Sequence, residues 1–290
     1  MFDFDILKSN TLLGESGFYL HKTNEIVFLD LLNPSILFYS IERKILIKKK
    51  LALPKPLGNI YPLVNGKFII SCFNGLYIYD RNRNSLKHYL DVRQKNELKD
   101  ISYNDGTISK NKFWIGLCHI KETDDLGYFG YLNNKKFVEI DKGFKVSNGP
   151  AINEKENKLY FSDSFNSSIY EYNLKTLKRK NIYKFDKKQG FPDGIALDNQ
   201  NGLWVAHWAG GQVSRVNLKS CKIDQQIKLP ALNITSVTFI GKKLNHLFIT
   251  SAKLETSKNQ LEKYKHAGSS FIIKTGFKGL KIQYGNIKTH

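Results

Sequence analysis

One apolar segment, repeated six times, constrains this chain more than any other feature. EIVFLD begins at Glu25, KFIISC at Lys67, KFWIGL at Lys112, KLYFSD at Lys158, GLWVAH at Gly202 and HLFITS at His246, so successive copies start 42 to 46 residues apart. Each follows a polar turn such as NEKENK or LDNQNG, and most precede a second strand-like run such as SILFYS, GLYIYD or SSIYEYN. Runs this short and this rich in Val, Ile, Phe, Tyr and Trp favour strands, and helical periodicity is rare. A period in the forties is that of a four-stranded propeller blade. Six repeats in 290 residues leave roughly 48 residues per blade. The chain is therefore predicted to be all-β, a six-bladed β-propeller of four-stranded blades forming one domain over residues 1–290. A pair of β-sandwiches or another all-β array is the alternative.

In a propeller the innermost strand of each blade lines a central channel, so residues at one phase of the repeat converge although they are distant in sequence. Eight to ten residues ahead of the anchors stand Glu15, Asn59, Asn104, Asn148, Asp193 and Ser236. One oxygen-bearing side chain at a strand start is an ordinary turn former. Six in phase predict a ring around the channel. Glu15, Asn148 and Asp193 offer two carboxylates and an amide oxygen, hard ligands suited to Ca²⁺, Mg²⁺ or Mn²⁺, and zinc also accepts carboxylates. Three protein ligands leave coordination positions for water or substrate, the pattern of a catalytic centre and not of a closed structural one.

Other chemistries lack their motifs. There is no GxSxG, GxxxxGK[ST], HExxH or GxGxxG. His207 in VAHW reads as a packed or surface histidine, and Asp163 and Asp198 as turn residues. The formal net charge is +19, but it is nearly all lysine, spread from end to end, while arginine, the usual reader of phosphates and base edges, is scarce. A solvated lysine-rich surface is expected, with no nucleic-acid partner. No apolar run reaches the ~18 residues of a membrane span, the start MFDFDILKSN has no leader pattern, and Cys72, Cys118 and Cys221 form no CxxC pair. A cytoplasmic location without a membrane partner is the expectation.

At these residues the chain resembles the gluconolactonase and regucalcin (senescence marker protein) family of six-bladed propellers. The resemblance runs through LGES at 13–16, NDG at 104–106, VSNGPA at 146–151, YFSDS at 160–164, GFPDGIALDNQNGLWVAHWAGGQVSRVN at 190–217 and TSVTFIG at 235–241. It implies one divalent cation on Glu15, Asn148 and Asp193, calcium first, with magnesium, manganese and zinc as alternatives. It also implies hydrolysis of a small sugar lactone to its aldonic acid, by a monomer or weak homo-oligomer. The family's substrate-contacting Asn maps to Asn104, with Asp105 beside it as a further pocket acid, and a substrate-contacting Glu maps to Glu122. Ser102 stands where many members place an arginine on a substrate oxygen, and GLC at 116–118 replaces a common GTM. Asp193 would orient or deprotonate the attacking water, with Asp105 as the other candidate base. Two rival readings remain beside the lactonase: hydrolysis of another ester or a phosphotriester, and a calcium-binding regulatory propeller without turnover.

Overall fold

The computed structural model describes residues 3–96, 99–133 and 135–287; the two ends of the 1–290 span lie outside the described residues. Each repeat folds into a four-stranded antiparallel sheet, and the six sheets form a ring, a six-bladed β-propeller. Blade one runs Gly14–Leu20, Glu25–Asp30, Ser35–Ser40 and Ile45–Lys50 from the channel outward. The six apolar anchors are the second strands of the blades. They read as continuous apolar runs because neighbouring strands and neighbouring blades bury both of their faces. The outermost strand of blade one, ILIKKK, is mostly exposed, and such outer strands carry much of the lysine.

The ring is closed by a strand that the period did not reveal. Blade six takes Asn233–Ile240, His246–Ala252 and Ser270–Lys274 from the end of the chain, and its fourth strand, Phe4–Leu7, from the beginning. Phe4 pairs with Ile273 and Leu7 with Ser270, so the two ends are knitted into one sheet. Between blades the core is aromatic. Phe129 of blade three stacks on Phe161 of blade four at 5.5 Å and 9°, and the fully buried Trp204 of blade five meets Phe239 of blade six edge-on at 6.2 Å. Such pairs add roughly 0.5–1.5 kcal/mol beyond their burial.

Past Lys274 the chain runs as a strap across the channel end at which the inner strands finish. Gly279 N–H donates to the Leu244 carbonyl at 2.8 Å, Leu280 N–H to Leu197 at 3.2 Å and Gly285 N–H to Pro62 at 2.9 Å, so the strap crosses from blade six to blade two. No helix among the described residues is long and apolar enough to cross a membrane.

Every inner strand slips register at one place. The pairing jumps between Glu15 and Phe18, Leu57 and Ile60, Tyr103 and Gly106, Asn148 and Ala151, Pro192 and Ile195, and Ile234 and Val237. Each slip is a β-bulge, which bends the strand and re-aims its side chains. The ring of six expected from phase is consequently split between two levels. Glu15, Asn104, Asn148 and Asp193 line a cavity of about 230 Å³ at the open end of the channel. Asn59 and Ser236, which sit second in their bulges, instead line a cavity of about 540 Å³ on the strapped side. Asp105 borders both.

Candidate active site

The smaller cavity gathers its polar groups from separate blades. Glu15 precedes the bulge of blade one, Asn104 and Asp105 form that of blade three, Asn148 precedes that of blade four, and Asp193 opens that of blade five. Gly149 and Gly194 follow the last two because the bulges touch the neighbouring blade. A Cβ on Gly149, whose φ is +55°, would lie 2.4 Å from the Ile195 nitrogen, and one on Gly194 would lie 2.7 Å from the Ser236 Cα. The Ser162 hydroxyl staples the two blades behind them, donating to the Asn148 carbonyl at 3.1 Å and to the Asp193 carbonyl at 2.7 Å.

The amide of Asn148 is fixed from two sides. Its Nδ2 donates to Ser164 Oγ at 2.9 Å, while its Oδ1 accepts from Asn104 Nδ2 at 2.8 Å. An amide oxygen has two acceptor sites, so one remains for a further partner. Asn104 Nδ2 also donates to the Ser147 carbonyl at 3.0 Å, which turns its own Oδ1 into the free end. Asp105 is tied down by three donors: Gly149 N–H to Oδ2 at 2.7 Å, Gly106 N–H to Oδ1 at 2.9 Å, and Asn59 Nδ2 to Oδ1.

Electrostatically the cavity is strained. Burial pushes the Glu15 carboxyl well above the usual carboxylate range, with Asp105 adding to it. Burial likewise lifts Asp193 well above its ordinary value, reinforced by Glu15, Asp105 and Glu122. Asp105 is raised by burial too, against the pull of its three donors. No Lys, Arg or His lines the cavity among the described residues. A cation is the group this set lacks. Three buried oxygen acids and an amide oxygen with a free acceptor site fit a hard divalent ion, which would hold the acids ionised. No three His, Cys, Asp or Glu side chains among the described residues are grouped so as to hold an ion; an ion in this cavity would take the amide oxygen of Asn148 as one of its donors.

The remaining expected residues divide. Glu122 lines the cavity from the turn after the second strand of blade three. Ser102 does not: it is buried in the inner strand of blade three, opposite Cys118, and its hydroxyl turns to the Tyr103 carbonyl at 3.4 Å. It is too short to span from that position, so nothing stands in for the absent arginine. His207 is wholly buried away from the cavity, with Nε2 at 2.6 Å from Ser214 Oγ and its ring edge-on to Phe185 at 4.8 Å. Asp163 and Asp198 hold turns as expected, and Asp198 also pairs with the buried Arg215 at 2.6 Å. Phe165, Phe191, Trp208, Ser164 and Glu255 also line the cavity. They lie outside the repeat phase, so only their nearness to the anchors in sequence could have pointed to them.

The sequence profile of the SMP-30/Gluconolactonase/LRE-like region matches residues 13–253. Regucalcin of Danio rerio is 27% identical over 285 residues, 95% of this chain and 95% of that protein. The calcium-binding protein regucalcin of Agrobacterium tumefaciens superposes with a TM-score of 0.90 at 18% identity, covering 99% of this chain and 98% of the other. A gluconolactonase of Xanthomonas campestris superposes with a TM-score of 0.74 at 15% identity, covering 94% and 90%. The chain belongs to the SMP-30/gluconolactonase/LRE-like family.

Proposed function

We propose that this protein is a metal-dependent lactonase that opens a sugar lactone to its aldonic acid, with Glu15, Asn148 and Asp193 holding one divalent cation. The observation that carries the reading is the convergence of these three donors, from three blades, on a cavity whose buried acids have no cation of their own. Family membership and the gluconolactonase among the structural relatives favour the same chemistry. At about 230 Å³ the cavity falls below the roughly 300 Å³ at which drug-sized pockets begin, and suits one sugar-sized ring.

When bound, a divalent cation supplies Lewis-acid polarisation of a carbonyl oxygen there. The chain's own residues do the rest. Phe165, Phe191 and Trp208 present apolar faces to the ring and exclude bulk water. The free Oδ1 of Asn104 accepts from a ring hydroxyl, and Glu122 accepts from another at the mouth. Asp193 takes the proton of the attacking water as the water oxygen bonds to the carbonyl carbon. It returns that proton to the ring oxygen when the acyl C–O bond breaks, leaving acid and hydroxyl on one open chain. Asp193 can serve both roles because its carboxylate has two oxygens, one for the cation it would hold and one for the proton of the water. Asp105, with three donors already on its oxygens, serves as a positioning group and not as the base.

A panel of sugar lactones tests this, following acid release after chelation and after adding back Ca²⁺, Mg²⁺, Mn²⁺ or Zn²⁺, with Asp193→Ala beside the wild type. Metal-restored turnover that Asp193→Ala loses is the expected result. Tight metal binding without turnover of any lactone would overturn the reading and favour a calcium-binding role, the property named for the Agrobacterium relative.

A further inference from the structure

The charge at the mouth of the cavity exceeds what a cation needs. Five carboxylates line it, those of Glu15, Asp105, Glu122, Asp193 and Glu255, and a divalent ion would balance two. Glu122 and Glu255 lie furthest out, in the loops that follow the second strands of blades three and six. Both adopt left-handed backbone conformations, φ +56° and +54°, and both sit in closed turns, Glu122 N–H donating to His119 at 2.8 Å and Thr256 N–H to Lys253 at 3.2 Å. The turns fix where each side chain leaves the backbone. The two carboxylates are close enough that Glu255 adds to the burial that raises Glu122.

Of the basic side chains near these loops, His119 faces Asp124 at 3.2 Å and Lys253 donates to Asn10, while Lys121, next to Glu122 in sequence, does not line the cavity. With Ser102 buried and turned to the backbone, no Lys, Arg or His among the described residues lines the cavity to meet a substrate anion. Phe165, Phe191 and Trp208 supply aromatic faces to the same wall. Carboxylates beside aromatic faces are the chemistry that receives an ammonium group and repels a carboxylate or phosphate. The net charge of +19 does not cancel this, because salt screens the scattered surface lysines beyond about 8 Å under physiological conditions.

We propose that Glu122 and Glu255 form a charge filter at the mouth of this cavity, which admits neutral lactones, favours those carrying a protonated amine and turns away those carrying a carboxylate or phosphate. The inference rests on the lactonase reading for the ring it filters. At a separation of about 8 Å, with an effective dielectric between roughly 20 and 80, one glutamate changes the preference between oppositely charged substituents and neutral ones by about three- to thirtyfold.

The test uses one lactone ring in three forms, neutral, amino-substituted and carboxylate-substituted, together with the three matching lactams, whose ring amide resists opening. Turnover of the lactones and calorimetric binding of the lactams are measured with calcium present, for wild type, Glu255→Gln and Glu255→Lys. The wild type should rank amino at or above neutral, and neutral above carboxylate. Glu255→Gln should shrink the amino-to-carboxylate ratio by the square of that factor, about ten- to a thousandfold, and Glu255→Lys should shrink it further. An identical ratio in all three proteins, or a wild type that takes the carboxylate form as readily as the neutral one, overturns the filter. Ranked lactam binding without lactone turnover refutes the lactonase and upholds the filter; turnover without ranking does the reverse. Failure of every lactam to bind overturns the filter as well.

Discussion

His207 makes the stability of this protein depend on acid in a way that can be calculated. Burial lowers its pKa from 6.5 to about 4, with Lys228 acting in the same direction and the Gln189 carbonyl opposing. The folded state therefore binds a proton less readily than the unfolded chain. The stabilisation from keeping the ring neutral is fully present above pH 6.5 and is lost as the pH falls from 6.5 toward 4. Between pH 7 and pH 4.5 the loss is about 2 kcal/mol. For a chain of this length that is a fall of about 4 °C in melting temperature. His207→Gln offers an amide to Ser214 and does not titrate, so it should lack this component. Urea unfolding of the metal-free proteins, followed by tryptophan fluorescence at both pH values, measures the difference in slope. The pocket acids act in the opposite sense, since their raised pKa values make the folded state bind protons more readily. They lie in a separate cavity and are unchanged by the substitution, so they cancel between the two proteins. Equal loss of stability in wild type and His207→Gln would refute the account.

Two further outcomes follow from buried charge. Asp193→Asn should raise the melting temperature of the metal-free protein, because it removes one of three buried acids that oppose each other's ionisation, while abolishing the stabilisation that calcium gives and lowering turnover by orders of magnitude; scanning fluorimetry with and without chelator checks the first two. Asp198→Leu should cost about 3–5 kcal/mol, since it leaves Arg215, 2% exposed at its side chain, without its partner at 2.6 Å. Asp224 retains its contact with Arg215 at 2.5 Å, and adding Arg215→Met to Asp198→Leu should recover part of the loss.

The blades were legible because a strand buried on both faces must be apolar throughout, and six such runs at one spacing leave few architectures. Their phase also pointed to the right inner strands. It could not place the side chains along the channel, because pairing register is not a property of any one strand's sequence. Glu15 and Asn148 are the last paired residues before their bulges, Asp193 and Asn104 are first within theirs, and Asp105, Asn59 and Ser236 are second. One position of difference re-aims a side chain, and the second position faces the strapped cavity. Asn59 shows what that does: although it entered the expected ring as an equal, it serves from below, donating to Asp105 and holding that carboxylate at the boundary. Position within the bulge, more than the oxygen chemistry shared by all six blades, thus decides which side chains reach the cavity at the open end. The same reasoning explains why Phe165, Trp208 and Glu255 escaped the repeat. Phe165 and Glu255 belong to the connections between strands and Trp208 ends a strand where one begins; these connections and strand ends differ from blade to blade and build the wall that a substrate meets first.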